Sequence, residues 1–270
     1  MTNKTNNPAG NYASVNGINL YYEIHGTGKP LILLHGGFGT FEMFTALSPT
    51  LAENHQVIGV DLYGHGRTAL TNRSLRFESM ADDIAGLIQH LGLEQADLLG
   101  YSLGGAVALQ TAIRHPERVN KLVLISTPFK RTGWHPEMQA GMTSIAPEFF
   151  IGTPLHDTYM SVAPKPEDFP RFVAAMKEAM GQGYDWTEQV SALKIPTLIV
   201  SGDSDGLPPS HAVAFFTLLG GGLKDAGWQG EHLIPSQLAI LPRATHYNIV
   251  FRADLLLPVL APFLDETSKR

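Results

Sequence analysis

The chain of 270 residues contains no cysteine, which excludes disulfide bonds, a catalytic thiolate and cysteine-ligated metals. Charge is also scarce. Charged residues make up 16% of the sequence, the formal net charge is −6, and no cluster of basic residues occurs. Because non-specific binding to nucleic acid depends on such clusters, we expect no nucleic-acid partner.

Long apolar stretches are missing as well. No apolar run approaches the roughly 18 residues of a membrane-spanning helix, so we expect no membrane span. Residues 1–8 are polar and lack the apolar segment of a signal peptide, which makes the cytoplasm the expected location. Apolar side chains in total are nevertheless plentiful at 44%, enough for one α/β domain or two small ones.

Short apolar runs alternate with helical patterns along most of the chain. Residues 12–24 read as a hairpin around Asn16-Gly17, a pair that favours tight turns between strands. The remaining expected strands are 30–35, 56–63, 96–99, 121–126, 196–201 and 237–241, and the expected helices are 40–53, 74–91, 105–109 and 252–265. This alternation predicts an α/β fold with a mostly parallel, doubly wound sheet and helices on both faces. Ligand sites then belong at the carboxyl ends of the strands.

Two segments interrupt the alternation. Residues 127–192 contain no pattern of a buried strand and are rich in methionine and aromatic residues, which predicts a helical cap, or lid, over a core of 1–126 and 193–270. Adaptable methionine and aromatic side chains suit a pocket for apolar substrates, although most of them are expected to pack against each other. Residues 220–236 begin with three glycines and read as a glycine-rich insertion in the core.

One motif carries most of the chemical information. An apolar strand leads into Gly100-Tyr101-Ser102-Leu103-Gly104, and a helix of small residues follows at once. This is the strand–turn–helix context of a nucleophile elbow, which raises a serine hydroxyl above the sheet. The ordinary alternative is a helix start capped by Ser102. As a nucleophile, Ser102 needs a base and an orienting acid.

Candidate partners follow two late strands. His246 comes directly after the strand 237–241 and is the expected base, with His232 in the glycine-rich insertion as a weaker rival. Asp203 and Asp205 both follow the strand 196–201, and the residues alone leave the choice of acid open.

A glycine-rich turn follows the strand 30–35. Its sequence, His35-Gly-Gly-Phe-Gly39, lets a backbone N–H turn toward the oxyanion of a tetrahedral intermediate, together with the N–H of Leu103. We expect a structural role for His35, with its ring bonded to nearby backbone.

Together these residues resemble the α/β-hydrolase superfamily, from about residue 13 to residue 265. Two further stretches are similar to that superfamily, the loop 61–68 and the Gly-x-x-Asp pattern that begins at Gly202. The resemblance implies Asp205 as the acid, Gly37 and Leu103 as oxyanion donors, and Phe38 in the substrate pocket. Tyr101, next to the nucleophile, is expected in that pocket too.

The capped members that the chain resembles are serine esterases and lactonases, including lactonases that act on acyl-homoserine lactones. The resemblance therefore implies cleavage of a small ester or lactone with an apolar acyl group, through an acyl-enzyme and without a metal or an organic cofactor. Three alternatives stay open: a carbon–carbon-bond hydrolase, a cofactor-free perhydrolase, and a non-catalytic small-molecule receptor.

Overall fold

A computed structural model describes residues 10–266. The polar residues 1–8, on which the expectation about a signal peptide rests, lie outside this range. The described strands are β1 Asn11–Val15, β2 Ile18–His25, β3 Lys29–Leu34, β4 His55–Asp61, β5 Ala96–Tyr101, β6 Val119–Ile125, β7 Thr197–Ser204 and β8 Gln237–Thr245. The helices are α1 Ser48–Leu51, α2 Phe77–His90, α3 Leu103–Arg114, α4 Pro136–Ser144, α5 Pro154–Val162, α6 Phe169–Gly181, α7 Thr187–Ala192, α8 Pro209–Leu218 and α9 Ala253–Asp265.

The strands form one sheet in the order β1-β2-β4-β3-β5-β6-β7-β8. β2 pairs antiparallel with β1 and β4, and each later pair of neighbours is parallel. The turn between β1 and β2 uses Asn16 and Gly17, both with positive φ, as the Asn-Gly pair predicts. The expected α/β fold with a mostly parallel sheet is confirmed.

Both faces of the sheet are covered. Successive residues of β3 alternate between two apolar clusters, because side chains of a strand point to opposite faces. One cluster contains buried residues of α2, α3 and α8, and the other contains those of α1 and α9. The central strands are therefore apolar on both sides, as in other parallel sheets.

The expected single helix over residues 40–53 is wrong. The chain instead forms a 3-10 helix at Phe41–Phe44 and the single turn α1. The N–H of Phe41 donates to Oδ1 of Asp61 at 3.0 Å, so it is engaged by a side chain of another segment. Pro49 has no N–H to donate and lies in the first turn of the separate helix α1, which begins at Ser48.

Four helices, α4 to α7, lie between β6 and β7, where the cap is expected. The methionine, phenylalanine and tryptophan residues of 131–192 divide into three groups. Phe169, Phe172, Met176 and Trp186 are buried in the cluster next to α2 and α3, whereas Phe149 and Met160 are exposed. The remaining five face a cavity described below: Trp134, Met138, Met142, Phe150 and Met180.

Residues 220–236 contain no helix or strand and connect α8 to β8. β8 forms one edge of the sheet and is irregular near its end. Its residues 242–244 lie opposite the single residue Asp203 of β7, and Arg243 has a φ of 54°. This is the geometry of a β-bulge.

Candidate active site

Ser102 lies in a strained turn between β5 and α3, with φ 54° and ψ −114°. Two glycines make this turn possible. A Cβ on Gly100 would collide with the carbonyl oxygen of Gly104, and a Cβ on Gly104 would collide with that of Leu34. Strain of this kind persists only where the surroundings enforce it. Its effect here is to place the Ser102 hydroxyl at the N-terminus of α3.

The structure brings three predicted residues into a hydrogen-bonded chain. Ser102 Oγ lies 3.1 Å from His246 Nε2, and His246 Nδ1 lies 3.1 Å from Asp205 Oδ1. A carboxylate can only accept hydrogen bonds, so Nδ1 carries the hydrogen of a neutral imidazole and Nε2 accepts from Ser102. This is the arrangement in which the imidazole can take the serine proton.

Asp205 is buried among hydrogen-bond donors. Its Oδ1 also accepts from the N–H of Gly206 at 2.6 Å, and its Oδ2 accepts from the N–H of Gly202 at 3.1 Å and from Ser126 Oγ at 2.5 Å. Burial acts to raise the pKa of Asp205, but its hydrogen bonds and its favourable electrostatic interaction with His246 outweigh burial and hold this pKa below its usual value. Asp205 is therefore a carboxylate at neutral pH.

The rival candidates lie elsewhere. Asp203 is exposed and its Oδ1 accepts a hydrogen bond from Ser204 Oγ at 3.0 Å. His232 is exposed in residues 220–236, and its N–H donates to the carbonyl of Ala226. Neither contacts Ser102 within residues 10–266.

The loop that carries His246 is held from two sides. Tyr101 donates its hydroxyl to the His246 carbonyl at 2.5 Å, and its ring lies 5.4 Å from the imidazole between centroids. Trp134 packs edge-to-face on the imidazole at 5.2 Å, and the N–H of His135 donates to the Gly206 carbonyl at 2.9 Å. Sequence reasoning missed these contacts, because nothing in the spacing shows that residues 134–135 reach His246 and Gly206.

The loop after β3 lies against Ser102. A Cβ on Gly36 would be 3.6 Å from that of Ser102, and a Cβ on Gly37 would be 4.0 Å from that of Leu103. The N–H groups of Gly37 and Leu103 form no hydrogen bond within residues 10–266. Two N–H groups without a hydrogen-bond partner in the described part of the chain thus lie close to Ser102, and an attack by Ser102 on a carbonyl would need donors there.

His35 supports this loop as expected. Its Nδ1 donates to the Gly36 carbonyl at 2.8 Å, and its Nε2 accepts from the N–H of Leu62 at 3.0 Å. Burial lowers the pKa of His35, which keeps the ring neutral and both hydrogen bonds intact. Asp61 fixes the next residues, since it accepts from the N–H groups of Phe41 and Arg67.

Ser102 opens into a cavity of about 920 Å³ above the carboxyl ends of the strands. Phe38 and Tyr101, the residues expected in a substrate pocket, line this cavity together with side chains of α4 and the end of α6. Most of the lining is apolar, and Arg131 and Glu137 are the charged side chains contributed by residues 127–192. Within residues 10–266, no group of three histidine or acidic side chains is placed to hold a metal ion. No helix in that range is both long and apolar enough to cross a bilayer.

Comparison with known proteins gives consistent results. A family model described as the alpha/beta hydrolase fold matches residues 29–150. The AB hydrolase superfamily protein YisY of Bacillus subtilis is 31% identical over 214 residues, covering 71% of this chain and 80% of that protein. RutD of Azorhizobium caulinodans, provisionally named a carbamate hydrolase, is 27% identical over 233 residues, covering 80% of this chain and 87% of that protein.

A solved structure extends the likeness to the whole fold. A thermophilic esterase from Thermogutta terrifontis superposes with a TM-score of 0.74 at 25% identity, covering 95% of this chain and 98% of that one. The sheet order, the strained serine turn and these matches agree. The chain belongs to the α/β-hydrolase superfamily.

Proposed function

We propose that this protein is a serine hydrolase of carboxylic esters or lactones, with Ser102 as nucleophile, His246 as base and Asp205 as orienting acid. One observation carries the proposal. The hydrogen-bonded chain from Ser102 through His246 to Asp205 opens into a mostly apolar cavity. The likeness to a thermophilic esterase supports the choice of an ester.

Acylation would begin when Ser102 Oγ attacks the carbonyl carbon and His246 Nε2 takes the hydroxyl proton. Asp205 stabilises the imidazolium that forms, and the N–H groups of Gly37 and Leu103 donate to the oxyanion. When the tetrahedral intermediate collapses, the bond to the leaving oxygen breaks and His246 returns the proton to that oxygen. The products are an alcohol, which a lactone keeps attached, and an acyl-Ser102 ester.

Deacylation repeats these steps with water. His246 Nε2 takes a proton from water, the resulting hydroxide attacks the acyl carbon, and the proton returns to Ser102 Oγ as the acid leaves. The proton transfers use the hydrogen-bonded chain from Ser102 Oγ through His246 to Asp205. The mechanism needs no metal or organic cofactor.

We propose further that residues 127–192 act as the lid of this site and select the acyl group. Met138, Met142 and Phe150 line the cavity from the lid side, and Phe38 lies 4.3 Å from Phe150 between ring centroids. Each buried methylene stabilises a complex by about 0.8 kcal/mol. Apolar acyl groups of medium length should therefore be cleaved with a higher kcat/KM than acetyl groups.

The first experiment measures hydrolysis of p-nitrophenyl butyrate and of a γ-lactone by the wild type and by Ser102→Ala. Loss of the nucleophile should lower kcat by at least about a thousandfold at unchanged thermal stability, because triad members act as a unit. Ser191→Ala, an exposed serine of α7, is the matched control and should keep wild-type activity.

The outcomes separate the alternatives. A Ser102→Ala variant with a tenth of wild-type activity would contradict the triad. A wild type that cleaves a vinylogous diketone but no ester or lactone would be a carbon–carbon-bond hydrolase, and one that binds esters without turnover would be a receptor. An acyl series from two to ten carbons tests the lid. A kcat/KM that is flat or falls from two carbons upward would refute an apolar acyl pocket.

A further inference from the structure

Arg131 is a cation without a carboxylate partner in a mostly apolar cavity. It lies in a 3-10 turn, Arg131–Gly133, is half-buried, and lines the cavity that contains Ser102. Its guanidinium forms no ion pair with a carboxylate of residues 10–266. Its two hydrogen bonds are weak ones, to Met142 Sδ at 2.9 Å and to the Gln139 carbonyl at 3.3 Å.

This environment is unfavourable for a charge that cannot be released. Burial lowers the pKa of Arg131, although the side chain stays protonated at any ordinary pH. A guanidinium has five N–H donors, and only two are used here. Glu137 lines the same cavity but is exposed and does not pair with Arg131. Charges taken out of water in proteins are normally paired, so the unused donors of this half-buried guanidinium favour a ligand with a negative charge.

The position of Arg131 is fixed relative to the nucleophile. Its N–H donates to the carbonyl of Tyr184 at 2.9 Å, which ties the turn to the end of the cap. Trp134 ends the same turn and packs on the imidazole of His246. The backbone of Arg131 is thus fixed three residues before Trp134, and its guanidinium is held against Met142 and Gln139.

We propose that Arg131 binds a carboxylate of the substrate, so that the preferred substrates are half-esters of dicarboxylic acids or lactones with a free carboxylate. The inference rests on the proposed function. An arginine matches a carboxylate with two parallel N–H···O bonds, and the unused donors of Arg131 are available for such a pair. Arg131 and Ser102 line the same cavity, and most of its lining is apolar, which suits a hydrocarbon chain that joins the carboxylate to the reacting carbonyl.

The kinetic test compares two substrates that differ in the terminal group of the acyl chain, p-nitrophenyl hemiglutarate and p-nitrophenyl butyrate. The wild type should prefer the hemiglutarate in kcat/KM by about tenfold or more, which is the range expected for a charge-assisted pair. Arg131→Gln should lose this preference through a higher KM for the hemiglutarate and stay within about twofold of the wild type on the butyrate. Arg131→Lys should retain part of the preference. Arg76→Gln, an exposed arginine outside the cavity, is the matched control and should retain all of it.

A binding measurement makes the inference independent of turnover. Glutarate should bind to the wild type in isothermal titration calorimetry, in a buffer without carboxylate or phosphate, and at least about tenfold more weakly to Arg131→Gln. In one outcome Ser102→Ala abolishes hydrolysis, but the wild type and Arg131→Gln show no preference between the two substrates and bind glutarate equally well. The carboxylate site is then refuted and the proposed function stands. If no ester or lactone is cleaved but glutarate binding depends on Arg131, the proposed function fails and the site remains.

Discussion

Ser126 offers a sharp test of how the acid of the triad is held. It follows β6 with a φ of 52°, its N–H donates to the Val200 carbonyl, and its hydroxyl donates to Asp205 Oδ2 at 2.5 Å. Ser126→Ala removes this donor and adds no backbone strain, because alanine has the same Cβ. A hydrogen bond to a charged group contributes about 1.5–3 kcal/mol, so the free energy of unfolding at pH 7 should fall by about 2 kcal/mol.

The loss should depend on pH in a defined direction. The folded-state pKa of Asp205 lies below its unfolded value, so the carboxylate stabilises the fold at pH values above the unfolded pKa. This stabilisation disappears as the pH falls through the folded pKa. The difference between the wild type and Ser126→Ala should therefore be full at neutral pH and shrink in the acid range, where the carboxyl is protonated in both proteins.

The chain provides a matched control for this test. Ser201 is also buried, and its hydroxyl lies 3.5 Å from the same carboxylate oxygen, beyond a good hydrogen bond. In urea denaturation the free energy of unfolding of Ser201→Ala should lie within about 0.5 kcal/mol of the wild-type value. In ester hydrolysis its kcat/KM should lie within about threefold of the wild type, whereas Ser126→Ala should lose about tenfold in kcat/KM. Equal losses in the two variants, or none in Ser126→Ala, would show that the short contact does not orient Asp205.

Three further predictions use the same assays. Asp205→Asn should lower kcat at least about a hundredfold more than Asp203→Asn, since only the first sets the imidazole tautomer, and a reversed ranking would make Asp203 the acid. Burial lowers the pKa of His211 to about 4, so the folded protein holds this ring neutral while the unfolded chain takes up a proton near pH 6.5. The contribution of neutral His211 to the free energy of unfolding is therefore full above pH 6.5 and is lost between pH 6.5 and 4. Urea denaturation should show the wild type losing about 2 kcal/mol more than His211→Gln over that range, after allowance for solvent screening, and parallel curves would contradict this. Gly104→Ala should lower the free energy of unfolding by more than about 3 kcal/mol, because the new Cβ would collide with backbone atoms. Gly181→Ala should leave it unchanged, because its Cβ would have no atom within 4 Å, and similar values for the two variants would refute the steric argument.

The sequence predicted what local patterns determine. Apolar runs located the strands, and the elbow motif located Ser102, because both depend on residues that are adjacent in the chain. The prediction of a single helix over residues 40–53 was wrong for a related reason. The apolar positions Phe41, Phe44, Leu47 and Leu51 are all buried, but their spacing of three to four residues is compatible with short 3-10 and α turns as well as with one helix.

The parts of the site that escaped prediction depend on contacts between distant segments. Ser126 was read only as the end of a strand, yet it reaches Asp205 across 79 residues of sequence. Trp134 was counted among the large apolar residues of the cap, and only the fold shows that it touches His246. No sequence motif marks Arg131, because the absence of a carboxylate partner within residues 10–266 becomes visible only in the folded structure. To predict these contacts from the sequence, one would need to know which side of the cap faces Ser102.

The bulge near the end of β8 has a consequence for the whole molecule. An edge strand exposes unpaired N–H and C=O groups that can recruit a strand from another chain. In β8 this edge is broken by Pro242, which offers no N–H, and by Arg243, whose left-handed backbone and charge disrupt a regular ladder. At the opposite edge, β1 is only five residues long. The sheet is thus poorly suited to grow by strand addition at either side, and this protects a chain with a 44% apolar composition from edge-to-edge aggregation.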